Sequence, residues 1–148
     1  MEEKLKYNTT IGEQIGYLVK MDQTNLAATT LESDLIELVN IFVSQINGCA
    51  FCTNAHLKKA RKVNTDERKL TFLPVWKEAH LYTEREQMAL DLAYKITNIQ
   101  NYVVTDGYYH RVRTIFSEKE YLELILVINN INFWNRMMLA TGNSSITE

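Results

Sequence analysis

Apolar positions along this 148-residue chain recur at the three-to-four-residue spacing of helices, and strand-like alternation is almost absent. Ile11, Ile15, Leu18 and Val19 predict a first helix after Thr9 or Thr10. Residues 31 to 46 predict a second, in which Leu35, Ile36, Leu38, Val39, Ile41, Phe42, Val43 and Ile46 cover most of the circumference. Asn47-Gly48 breaks that run, and a third helix should carry residues 49 to about 62. A short helix after Thr65 should end before Pro74, because the residue preceding proline disfavours helical angles. Thr83-Glu84-Arg85-Glu86 and Ser117-Glu118-Lys119-Glu120 read as capping boxes opening helices to about Asn98 and about Leu139. A further helix is expected from about Thr105 to Phe116, and Val103-Val104 is the one strand-like scrap. The tail Gly142-Asn143-Ser144-Ser145 reads as frayed. The pattern is that of an all-α chain forming a single domain over residues 1–148, with its core at about 10–140.

Composition narrows the functional classes. The length suits one domain with a sizeable core. A net charge of −2 makes no electrostatic case for nucleic acid as a partner. The local basic run Lys58, Lys59, Arg61, Lys62 falls where cations complement a helix C-terminus. No stretch approaches the roughly 18 apolar residues that a membrane span requires, and Met1-Glu2-Glu3-Lys4 does not read as the start of a secretory signal. A cytoplasmic setting is therefore expected, with no membrane partner, where paired thiols stay reduced or cycle.

Both cysteines stand in Cys49-Ala50-Phe51-Cys52, and His56 follows. On a helix Cys52 lies about 60° from Cys49 and His56 about 40° from Cys52, so all three share a face. With Asn47 as N-cap, Cys49 would sit in the first turn, near unpaired N–H groups and the positive end of the dipole, which favour a thiolate. Helical Cβ atoms three residues apart lie roughly 5–6 Å apart, against ~3.5–4.5 Å in a disulfide, so bridging requires a local adjustment. A staple over so short a loop adds little stability, which makes its use chemical.

The preceding helix carries one narrow polar stripe: Ser33, Glu37, Asn40 and Ser44. If the two helices form an antiparallel hairpin about Ile46-Asn47, Ser44 lies level with Cys49, Asn40 with Thr53, and Glu37 with His56. Glu37 could then orient or ionise His56 directly or through water. Competing readings stand beside this one. Cys49, Cys52 and His56 supply three of the four ligands of a structural zinc site, which His80 or His110 would have to complete. Inert buried thiols are the other. Asn129, Asn130, Asn132 and Asn135 are unusual in so apolar a stretch, as helix-to-helix hydrogen bonds or as subunit contacts.

The segment Leu35 to Trp76 has Glu37 twelve positions before Cys49, then Cys-x-x-Cys-x-x-x-His. With Val43 to Cys52, Leu73-Pro74-Val75-Trp76 and Ile131 to Arg136, it resembles the alkylhydroperoxidase D-like members of the carboxymuconolactone decarboxylase superfamily. The resemblance runs over roughly residues 10 to 140. It implies an all-helical fold with the Cys-x-x-Cys at the N-terminus of a central helix, assembling as a homotrimer or homohexamer. It further implies a thiol peroxidase acting on organic hydroperoxides or hydrogen peroxide, with no cofactor or metal. Carried over, Cys52 is the peroxidatic thiol and Cys49 resolves its sulfenic acid to a disulfide. His56, with Glu37 behind it, moves the proton. An external dithiol or lipoyl-type protein would re-reduce the pair. Some members have a further histidine between the cysteines, where this chain has Ala50 and Phe51. A general thiol–disulfide oxidoreductase, or a redox-sensing or zinc-binding scaffold without catalysis, is the alternative on the same residues.

Overall fold

The computed structural model describes residues 4–146, and among them there is no strand. The helices are α1 (Tyr7–Thr10), α2 (Gly12–Ala28), α3 (Ser33–Asn47), α4 (Ala50–Lys62), α5 (Glu67–Phe72), α6 (Trp76–Ala79), α7 (Glu84–Thr97), α8 (Asp106–Arg113) and α9 (Glu118–Ala140). The all-α expectation holds.

The apolar circumference of α3 decides the architecture. Every residue from Leu35 to Ser44 is buried, and α4, α7 and α9 pack around it. Leu38, Val39, Ile41 and Val43 have no exposed surface at all. Each such side chain is worth about 1.5–3 kcal/mol of transfer free energy, so α3 anchors the fold. Opposite them stand Leu90, Leu92 and Ala93 of α7 and Leu124, Ile128 and Ile131 of α9, all essentially unexposed. Both capping boxes form: Thr83 accepts from the Glu86 N–H and Ser117 from the Glu120 N–H, and each glutamate reaches back to the cap.

Pro74 does not stop the chain. Helix α5 ends at Phe72, and a 3₁₀ turn over Leu73–Val75 accepts the proline early, where its missing N–H costs nothing, before α6 begins. Helix α2 runs well beyond the predicted apolar quartet, to Ala28. The tail corrects an expectation: it is tied down. The Leu5 N–H donates to the Thr141 carbonyl, Asn143 Nδ2 donates to the Leu5 carbonyl, and the Phe51 N–H donates to the Ser144 carbonyl at 2.7 Å. A helix N-terminus leaves N–H groups without intrahelical partners, and the C-terminal segment satisfies one of them in α4.

Candidate redox site

The site is made at the α3–α4 reversal. Gly48 adopts φ 75°, ψ 26°, the left-handed conformation that glycine takes without steric cost. Its N–H donates to the Gln45 carbonyl, and the Cys49 N–H donates to the Ser44 carbonyl at 3.0 Å. The chain thus reverses over one residue. Asn47 is the last residue of α3 rather than the cap of α4, and Cys49 is the N-cap, in an extended conformation at φ −89°, ψ 96°. The expected cap is two residues too early because Gly48, not Asn47, absorbs the break.

That shift is also the adjustment the cysteines need. With Cys49 off the helix and Cys52 in its first turn, the Cα atoms stand 5.4 Å apart and the pair is joined as a disulfide. The Cys52 N–H donates to Cys49 Sγ at 3.3 Å. Both sulfurs lie at the positive end of α4, and both residues are buried.

The antiparallel register matches the expected one. His56 Nδ1 and Glu37 Oε2 are 2.6 Å apart. With an ionised carboxylate as partner, Nδ1 carries the proton and donates, which leaves Nε2 as the acceptor. Glu37, Asn40 and Ser44 of the polar stripe are buried, and Ser33 is exposed. His80 and His110 are exposed on other elements and do not join the site. Among the described residues, no three His, Cys, Asp or Glu side chains gather as a metal site.

A cavity of about 210 Å³ lies over this cluster between α2, α3, α4 and α9. Cys52, His56, Glu37 and Asn40 line it, with Ile36, Val127, Ile131 and Trp134 as apolar wall. Cys49 is absent from that lining. Asp22 and Lys59 also border the cavity, and Asn130 Nδ2 donates to Asp22 Oδ1 at 2.9 Å. Burial pushes the Asp22 carboxyl up, with Lys59 and His56 opposing and Glu37 adding to it.

Asp22 is the residue that sequence reasoning missed. At helical spacing it falls in the middle of the stripe Ile15, Leu18, Val19, Leu26, and a carboxylate there is the signal that was available. The asparagine question also resolves among the described contacts. Asn47 Nδ2 donates to Asn132 Oδ1 and Asn135 Oδ1, Asn132 donates to Thr97, and Asn135 donates to Ser44. These are helix-to-helix bonds joining α3, α7 and α9 beneath the cysteines; Asn129 stays exposed.

Comparison with known proteins adds the relatives. The model of the carboxymuconolactone decarboxylase family matches residues 16–95. The uncharacterised protein YdfG of Bacillus subtilis (strain 168) is 37% identical over the full length of both chains. ATU0492 of Agrobacterium tumefaciens is a protein of unknown function described, provisionally, as the antioxidant defence protein AhpD. Its structure superposes with a TM-score of 0.91 at 27% identity, over 99% of this chain and 100% of that one. An uncharacterised peroxidase-related protein from Silicibacter sp. TM1040 matches at a TM-score of 0.78 and 23% identity, over 88% of this chain and 69% of the other, and shares the fold.

Proposed function

The chain belongs to the carboxymuconolactone decarboxylase family in its AhpD-like form, and on that footing we propose that it is a thiol-dependent peroxidase reducing organic hydroperoxides or hydrogen peroxide. The observation that carries this reading is the shared cavity of Cys52, His56 and Glu37, from which Cys49 is absent. In the reduced protein, His56 Nε2 takes the Cys52 proton and the thiolate attacks the terminal oxygen of the peroxide. The O–O bond breaks, Cys52 becomes a sulfenic acid, and the departing alkoxide takes the proton held on His56. The Cys49 thiol then attacks the Cys52 sulfur, releasing water and forming the disulfide. An external dithiol returns the two electrons. No cofactor or metal is required, and the apolar wall of Ile36, Val127, Ile131 and Trp134 suits an alkyl or aryl hydroperoxide.

The same reading makes the protein cytoplasmic and a homotrimer or homohexamer. One observation favours a second reading. The positions between the cysteines hold Ala50 and Phe51, with no further histidine, which suits disulfide exchange as the main activity.

One equivalent of tert-butyl hydroperoxide is added to the reduced protein, and thiol loss is followed with mass-spectrometric mapping. The expected result is rapid loss of both thiols with a Cys49–Cys52 bridge. Cys52→Ser should abolish peroxide consumption, and Cys49→Ser should leave a sulfenate that dimedone captures. Equal, full activity in either variant, or thiols no more reactive than a small-molecule thiol, overturns the peroxidase assignment.

A further inference from the structure

The two sulfurs of the disulfide open onto different sides of α4. Cys52 borders the cavity just described, and Cys49 borders a separate groove of about 340 Å³. From α4 the cavity takes Phe51, Cys52, Ala55, His56 and Lys59, and the groove takes Ala50, Thr53, Asn54 and Leu57. At about 100° per residue these two sets point roughly 180° apart.

Their charges differ as well. The cavity holds the carboxylates of Asp22 and Glu37, with Lys59 beside them and His56 against Glu37. Among the described residues the groove lining carries no acidic or basic side chain: Ser44, Gln45 and Gly48 close it on the α3 side, and Ile146 of the C-terminal segment lies at its edge. Disulfide exchange proceeds by attack of a thiolate on sulfur. On the Cys52 side an approaching thiolate meets the charged side chains of Asp22, Glu37 and Lys59. On the Cys49 side it meets uncharged walls among the described residues, while the positive end of the 13-residue α4 is shared by both sulfurs.

We propose that oxidant and reductant use opposite faces of α4: peroxide reaches Cys52 through the cavity, and a small neutral dithiol attacks Cys49 in the groove beside Ile146. This rests on the redox reading of the pair. The incoming thiolate forms a bond to Cys49 Sγ and the Cys49–Cys52 bond breaks. Cys52 leaves as a thiolate, already in the first turn of α4 and beside His56. The second thiol of the reductant, losing its proton to solvent, then attacks the mixed disulfide. Cys49 departs as a thiolate that solvent protonates, and the reductant leaves as its own cyclic disulfide. The two-electron balance closes with the dithiol as the reductant. Leu57 and Ile146 give the groove an apolar flank for a short aliphatic backbone.

The test starts from protein oxidised with diamide, so that it runs whether or not peroxide is a substrate. The disulfide is opened with 2-mercaptoethanol, free thiols are blocked at once with N-ethylmaleimide, and the peptides are mapped. The expected product has the mercaptoethanol adduct on Cys49 and the maleimide on Cys52; the reverse arrangement overturns the proposal. In a second arm, Ile146→Trp and Ala50→Trp fill the groove, and dithiothreitol should reduce both variants at least tenfold more slowly. Val103→Trp, at an exposed position that borders neither the cavity nor the groove, should reduce at the wild-type rate. Equal rates for all three also overturn it, as does faster reduction by a thioredoxin-type protein than by dithiothreitol in the groove-filled variants. Failure of peroxide to oxidise the reduced protein, by contrast, removes the peroxidase reading and with it the oxidant's route to Cys52, and leaves the assignment of the dithiol to Cys49 in the groove standing.

Discussion

Two carboxylates face the same cavity and do opposite things to the molecule. Glu37 is committed to His56 at 2.6 Å, which fixes the imidazole with Nε2 free to accept. Glu37→Gln keeps the shape and removes the charge that holds that tautomer. Oxidation of the thiols by hydroperoxide should fall by about tenfold or more, with the far-UV circular dichroism unchanged. Unfolding of the variant would make Glu37 a structural residue instead. Asp22 has a carboxyl raised by burial above its ordinary value of 3.8. Over the pH range just above that value the native state holds more proton than the unfolded chain, so stability falls as pH rises through it. Asp22→Asn keeps an acceptor for Asn130 and removes the charge. Urea melts should show the variant gaining stability at pH 7, with the gain shrinking toward pH 4; an equal gain at both would show that ionisation is not its cause. The Glu37–His56 contact was legible because an antiparallel hairpin fixes which residues stand level. Asp22 was not, because its neighbours in space, Asn130 and Lys59, lie on helices whose approach no local pattern encodes.

At the scale of elements, the α3–α4 reversal does the decisive work. Gly48 at φ 75° is a left-handed position with open space around its missing Cβ. Gly48→Ala should therefore cost about 1–2 kcal/mol from backbone strain alone, and Gly48→Asn less, since asparagine tolerates that conformation better. Chemical denaturation of the two variants checks the order; equal costs would point to side-chain crowding. The helices were legible because their signals are local: apolar period, capping boxes, the Asn47-Gly48 break. The exact cap was not, since Asn47 and Gly48 each suit a helix boundary. The neighbours decide it, with Asn47 drawn onto Asn132 and Asn135 of α9. Ser144 likewise looked unattached until α4 offered it an N–H, a contact between segments 93 residues apart. Asn135 has no exposed surface and bonds both Ser44 and Asn47. Asn135→Ala should destabilise by roughly 1–3 kcal/mol through the groups it leaves unpaired.

For the whole molecule, α2 poses the question that one copy of the chain does not answer. It is 17 residues long and buries Ile15 alone. A single apolar side chain contributes about 1.5–3 kcal/mol, too little to hold so long a helix against its ordering entropy. Tyr17, Val19, Met21 and Leu26 on α2, and Leu122, Leu126 and Leu139 on α9, present further exposed apolar surface. Leu26 and Leu126 border one shared hollow, so the two sets are continuous there. Further copies of the chain covering that surface would both stabilise α2 and fix the cavity wall that carries Asp22. Sedimentation at micromolar concentration should then give three or six times the 17.2 kDa chain mass. Leu126→Glu should lower that mass and, because α2 loses its support, also slow thiol oxidation by hydroperoxide without touching the cysteines. A wild-type protein that sediments as a single chain would leave α2 held by this fold alone, and the assembly would have to be abandoned.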